Sequence, residues 1–267
     1  MEAIAPEIYS RIDNDLYNKQ GDIWWDENQI LHLLKTSINP LRFGYFMRIL
    51  REELKMDYRF CNILDIGCGG GILAEEFAEA GLNVIGIDPS SESLRTAEKH
   101  ALQNRLNIQY LKGSGEEIPM LDETYKLAYC CDVLEHVKNL PKTIAEIARV
   151  LKPGGVFFFD TINRTLMSKL VAIKIWQEWK STAFMPPHLH VWEMFIKPRE
   201  LARIMEACGF EVKQFRGSSP NVSVPKMITY LRRRAAGKMT FKELGEKFKL
   251  VESNDMNLLY MGYAIKK

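Results

Sequence analysis

The spacing of apolar residues changes character at about Asn62. From there to Thr161, short apolar runs alternate with stretches whose apolar positions recur every three or four residues. Ile63–Ile66, Val84–Ile87, Ile108–Leu111, Leu127–Cys131 and Val156–Thr161 read as strands, and Ile72–Ala80, Ser91–Asn104 and Lys142–Val150 as the helices between them. Such alternation predicts an α/β fold, a parallel sheet covered on both faces. Before it, Leu41–Leu54 carries Phe43, Tyr45, Phe46 and Leu50 at helical spacing, so residues 1–55 read as an N-terminal helical layer. That layer packs on the core, closes over a ligand with Trp24 and Trp25 on its inner side, or does both. After Thr161 the rhythm is interrupted at about 164–196 and again at 218–255. A helix at Pro198–Cys208 and strands at Phe210–Phe215 and Leu258–Ile265 complete a second unit, 56–267.

Glycines at Gly67, Gly69 and Gly71 sit where the first strand turns into a helix, and Asp88 ends the second strand. A turn of this composition lets backbone approach a ligand closely, and an acid beyond the next strand can accept from ribose hydroxyls. The pair therefore points to a nucleoside cofactor, although the spacing alone also fits a dinucleotide. Three details favour S-adenosylmethionine. Asp65 precedes the first glycine, where a carboxylate would sit badly beside a pyrophosphate. Gly113-Ser-Gly-Glu-Glu-Ile-Pro119 offers a polar loop after the third strand, suited to an adenine ring. Lys152-Pro-Gly-Gly155 turns the chain into the fifth strand.

Composition removes other classes. A net charge of +2 gives no global case for nucleic acid, and the basic triplet Arg232–Arg234, without interleaved aromatics, reads as a solvated face. Five cysteines with no CxxC pair read as reduced thiols of a cytoplasmic protein. No basic-then-apolar start marks a secretory signal, and no apolar run approaches the ~20 residues of a membrane span.

Together, DIGCGGG, GIDPS, VLEH and LKPGG resemble the class I S-adenosylmethionine-dependent methyltransferases. The resemblance implies a Rossmann-like seven-stranded sheet with an antiparallel last strand, lid insertions, and S-adenosylmethionine as cofactor. It places Gly67 and Gly69 against the methionine part, Asp88 on the ribose, and Asp65 and Cys131 in the same pocket. Many members carry an acid in the third loop. Here Ser114 and Gly115 stand there, so backbone contacts to adenine are expected. The flanks are more specific. Trp24-Trp25-Asp26-Glu27, Ile38-Asn39-Pro40-Leu41-Arg42, Thr161-Ile-Asn-Arg164 and Phe195-Ile-Lys-Pro198 resemble the O-methyltransferases of ubiquinone biosynthesis. That group implies a phenol or catechol acceptor, polyprenylated in the pathway, and puts Arg42 in the cofactor pocket, where a guanidinium can pair bidentately with a carboxylate.

Asp132, Glu135 and His136 fall at i, i+3 and i+4, one face if a helix begins there. The ubiquinone group has Glu-x-x-Glu-His at this place, a pattern implying a divalent metal such as magnesium. Two carboxylates suit magnesium; histidine is an uncommon ligand for so hard an ion. Without metal the same residues would orient one another at the transfer site. A phenol of pKa ~10 needs either that metal or a base at neutral pH. His136 is the first candidate base and His190, in Pro186-Pro-His-Leu-His190, the second. Leu166–Trp179 reads as a basic amphipathic helix, with Leu166, Leu170 and Ile173 on one side. It would either pack as a lid or lie on an anionic membrane surface. The resemblance fades after Cys208, leaving open a small-molecule O- or N-methyltransferase of secondary metabolism, or a cofactor-binding module without turnover.

Overall fold

The runs with no polar break lie in the middle of the sheet, and the interrupted ones lie toward one edge. The computed structural model describes residues 4–19, 21–180 and 182–267. Met1–Ala3 and Gln20 of the expected N-terminal layer, and Ser181 of the expected lid, lie outside the described residues. The strands are β1 (Asn62–Ile66), β2 (Asn83–Asp88), β3 (Gln109–Lys112), β4 (Tyr125–Cys130), β5 (Leu151–Ile162), β6 (Phe210–Pro220), β7 (Leu250–Ser253) and β8 (Leu259–Lys266). They form one sheet in the order β3-β2-β1-β4-β5-β8-β6-β7. Strands β3 to β5 pair in parallel, and β8 enters antiparallel between β5 and β6, as expected of the last strand.

One strand exceeds the seven expected. Leu250–Ser253, from the 218–255 segment, pairs antiparallel with Gly217–Pro220, a continuation of β6 beyond the predicted Phe215. The interrupted pattern of this strand, with only its ends half-buried, hid it from a reading based on apolar runs.

Side-chain alternation divides the core in two. Phe157 and Phe159 point to a cluster with Leu140, Ile144 and Ile147 of the helix Leu140–Val150, and with Leu201 and Met205 of Pro198–Ala207. Phe158 points the other way, toward Phe77 of Ile72–Glu79 and Tyr45, Phe46 and Leu50 of the N-terminal layer. That layer is the helix Asn39–Arg48, running on as wider turns through Ile49–Glu53. Phe46 stacks on Phe158 at 4.5 Å between ring centroids. The helix is thus part of the core.

Strand order reverses between β1 and β4, so the loops after these two strands open a crevice at the carboxyl edge. Two further segments reach that edge. One is the N-terminal stretch through Trp24, described below. The other follows β5, where Leu166–Ser168 is α-helical but Lys169–Glu178 winds more widely, with i→i+5 bonds. This winding divides the expected apolar stripe. Ile173 packs inward with Ile162 and Phe195, whereas Leu166 and Leu170 remain 81% and 44% exposed. Among the described residues no helix is long and apolar enough to cross a membrane.

Candidate active site

β1 stops because the next residues must turn sharply. Gly67, Gly69 and Gly71 all have positive φ, at 78°, 51° and 80°. All three also leave no room for a side chain: a Cβ would sit 2.2 Å from Val133 Cγ2 on Gly67, 2.3 Å from the Trp24 ring on Gly69 and 2.4 Å from the Tyr110 hydroxyl on Gly71. Asp88, at the end of β2, ties this turn to the next. Its carboxylate accepts from the Gly69 amide at 2.9 Å and the Ser90 amide at 2.8 Å, and burial pushes its pKa up to about 6. Gly113, opening the third loop, donates to the Asp88 carbonyl at 3.2 Å. Ser114 is half-buried there, and Gly115 lies so close to Thr143 that a Cβ would come within 2.9 Å of its methyl. The third loop therefore meets the second directly at its backbone.

Asp65 is buried and turned to the neighbouring strand, where it accepts from the Tyr129 hydroxyl at 2.7 Å. Burial pushes this carboxyl up to about 8. Cys131, just after β4, is half-buried, and burial raises its thiol beside the Arg42 guanidinium.

Arg42 reaches the carboxyl edge from the N-terminal helix, but its fork is occupied by the protein. Nη2 lies 2.5 Å from Asp132 Oδ2, Nε donates to Asp160, and Nη1 donates to Asn39 Oδ1 at 3.1 Å. Burial works against this charge, yet the Asp132 and Asp160 carboxylates outweigh it and hold the guanidinium ionised. Asp160 Oδ1 also accepts from the Asp132 amide at 2.9 Å. Asp160 was not singled out from sequence, although an acid closing the buried run Phe157-Phe-Phe159 needs a partner and could have been.

No helix begins at Asp132, so the condition for a shared helical face is not met. Residues 131–139 are turns, Asp132 has φ 54°, and the helix starts at Leu140 behind an Asn139 cap. Asp132 is held out of helical geometry by its contacts to Arg42 and Asp160. Its charge still reaches Glu135 and both histidines, and His190, delivered by the segment after β5, lies beside them. One carboxylate oxygen of Glu135 and one ring nitrogen each of His136 and His190 lie within 4.8 Å of one another.

The surroundings of this trio are ordered. Glu135 is 1% exposed, and its Oε2 accepts from Thr161 Oγ1 at 2.7 Å. His136 Nδ1 faces Asn14 Oδ1 at 3.2 Å. Gln177 clasps the His190 backbone, accepting from its amide at 2.7 Å and donating to its carbonyl at 3.1 Å. Burial, only partly offset by Asp132, pulls His136 down to about 4. Burial and the neighbouring His136 pull His190 down to about 3. Both imidazoles are neutral at physiological pH. Burial, with the Asp132 charge added, raises the Glu135 carboxyl.

The N-terminal stretch covers both parts of the site. Tyr17 stacks on Trp24 with ring centroids 5.7 Å apart and meets His136 edge-on at 6.4 Å. Trp24 Nε1 donates to Ser93 Oγ at 3.0 Å, and Trp25 Nε1 donates to the Gly70 carbonyl at 2.9 Å. One of the two readings of the N-terminal layer put Trp24 and Trp25 on the inner side of such a cover. Tyr17, Asn14, Thr161 and Gln177 were missed, since each matters through a contact distant in sequence.

Comparison with known proteins bears on the family and the fold. Residues 38–214 match the methyltransferase-domain family. The ubiquinone biosynthesis O-methyltransferase of Nitrosospira multiformis is 37% identical over 211 residues, covering 79% of this chain and 84% of that protein. The protein of the same name from Hahella chejuensis is 33% identical over 244 residues, covering 91% of this chain and 89% of its own length. Among solved structures, an S-adenosylmethionine-dependent methyltransferase from Aquifex aeolicus matches with a TM-score of 0.58 at 15% identity, covering 96% of this chain and 100% of that one. At that identity the likeness is one of fold.

Proposed function

Because the chain belongs to the class I S-adenosylmethionine-dependent methyltransferases, we propose that its acceptor is the phenolic oxygen of a catechol-type, polyprenylated precursor in ubiquinone biosynthesis. The names of its relatives support the pathway. The observation that carries the chemistry is the cluster of buried Glu135 with half-buried His136 and His190, two neutral imidazoles at the edge where the cofactor loops converge.

In this reading the Gly67–Gly71 turn lies under the methionine part of the cofactor. Asp88 accepts from the ribose hydroxyls, and the Ser114–Gly115 backbone borders adenine. Asp65 and Cys131 line the pocket. Arg42 acts as a positioning residue, fixing Asp132 and through it the loop that carries Glu135 and His136. Methyl transfer is an in-line displacement. The acceptor oxygen attacks the sulfonium methyl from the side opposite sulfur, the carbon–sulfur bond breaks, and its electron pair stays on S-adenosylhomocysteine. The cofactor brings its own good leaving group, so the protein must align the partners and take the phenol proton. At neutral pH a hydroxyl of pKa ~10 is only about 0.1% ionised. The trio handles that proton. Asn14 facing His136 Nδ1 favours the tautomer protonated there, which leaves Nε2 with a free lone pair.

Leu166, Met167, Leu170 and Trp179 stay exposed beside Lys169, a combination that suits an acceptor dissolved in an anionic membrane. The test is transfer of labelled methyl to prenylated catechols, simple catechols and secondary-metabolite phenols in parallel. A prenylated catechol should exceed its unprenylated counterpart at least about tenfold in kcat/KM, because burying only two methylene groups supplies ~1.6 kcal/mol. Preference for a polar, unprenylated phenol would overturn the proposed acceptor.

A further inference from the structure

The magnesium ion suggested by the Asp132–Glu135–His136 spacing does not fit the residues as they stand. Magnesium favours an octahedron of oxygens. The second carboxylate that would serve it, on Asp132, is committed to Arg42 at 2.5 Å. What converges instead is one carboxylate and two imidazoles, within 4.8 Å of one another.

Two observations indicate that these donors are arranged for a ligand. Glu135 Oε1 and His190 Nδ1 are both buried and have no hydrogen-bond partner among the described residues. Such an atom loses its hydration with nothing in return unless a ligand pairs with it, and both belong to residues of one cluster. Each residue of the trio is also held from outside. Thr161 fixes Glu135 Oε2, Asn14 faces His136 Nδ1, and Gln177 clasps the His190 backbone. Outer contacts of this kind orient metal ligands and settle which imidazole nitrogen is available.

We infer that Glu135, His136 and His190 form a site for a first-row transition ion of the zinc class, in place of a magnesium site built on Asp132. Imidazole nitrogen with a single carboxylate selects zinc, cobalt or iron(II) over magnesium, and three protein donors leave a position for an oxygen ligand. An ion of this class, when bound, would acidify a phenolic hydroxyl coordinated to it. The inference deepens the proposed function, since it assigns how the trio handles the acceptor's proton. Its test uses no acceptor, so the two can fail separately.

The full-length chain is stripped with chelator and titrated with Co2+, read by visible absorption, and with Mg2+ in competition. One Co2+ per chain should bind with the ligand-field bands of a nitrogen and oxygen site. Zinc should displace it, and a thousandfold excess of Mg2+ should not. His190→Ala and Glu135→Gln should each weaken binding by about 100-fold or more, beyond the ~10–100-fold typical of an outer partner such as Thr161. Asp132→Asn should change it less than about threefold. His190→Gln, checked by its melting curve, replaces His190→Ala if the latter does not fold. Binding of Mg2+ on a par with Co2+, absence of any Co2+ binding, or loss of binding in Asp132→Asn but not in the His190 variants would each overturn the inference.

Discussion

Arg42→Ala is expected to destabilise the protein by about 3 kcal/mol, the largest effect of any single substitution in the N-terminal layer. Removing one member of a buried ion pair leaves uncompensated charge, which typically costs ~3–5 kcal/mol. Here two carboxylates lose their partner together. Asp160 has 11% of its side chain exposed and Asp132 32%, so water relieves part of the cost and the lower end of the range applies. In a chain of this size the melting temperature should fall by roughly 6–12 °C. Arg42→Lys should recover little, because an ammonium cannot reproduce contacts made through Nε and Nη2 at once. A melting temperature within about 2 °C of the parent would show that the Asp132 and Asp160 contacts carry no net stabilisation.

His136→Ala is expected to lower kcat by about 10²–10⁴-fold while leaving S-adenosylmethionine affinity within a few-fold. The range is that of removing a group that assists proton transfer in the transition state. The split between kcat and cofactor affinity follows from the layout. His136 stands in the turns after β4 with Glu135 and His190, whereas the glycine turn and Asp88 are joined to each other by their own hydrogen bonds. Single-turnover rates and calorimetric cofactor binding check both halves. Equal loss of cofactor affinity would make His136 a structural member of the cofactor pocket and remove it from the chemistry.

What was legible in the chain, and what was not, follows from how local each feature is. The Gly67–Gly71 turn and Asp88 could be read directly, since positive φ and a strand-terminal acid leave marks at fixed spacing. The trio could only be half read. Glu135 and His136 were found beside each other, and Asp132 was grouped with them by the i, i+3 and i+4 spacing, one face if a helix begins there. Arg42 and Asp160 lie far away in the chain, and their contacts hold Asp132 at φ 54°. His190 had been noted as a separate candidate. Only the folding of the segment after β5 brings it beside His136, with ring centroids 5.4 Å apart.

The same limit explains β7 and the inward turn of Ile173. A four-residue edge strand with two exposed positions carries almost no periodic signal. A helix of ordinary winding predicts Ile173 on the same side as Leu166 and Leu170, whereas i→i+5 bonds place it against Ile162 and Phe195. One reading of the N-terminal layer put Trp24 inside a cover, yet its position across Gly69 and Gly70 depends on the absence of side chains there. Glycine in that turn therefore has a packing role besides its conformational one.

The most direct measurement is transfer of a ¹³C-labelled methyl from S-adenosylmethionine to a prenylated catechol, with the product examined by NMR. The proposed function predicts a labelled methoxy carbon on one catechol oxygen and one S-adenosylhomocysteine formed for each methyl transferred. Label appearing on carbon or nitrogen, or a chain that binds S-adenosylmethionine and transfers nothing to any catechol, would contradict it.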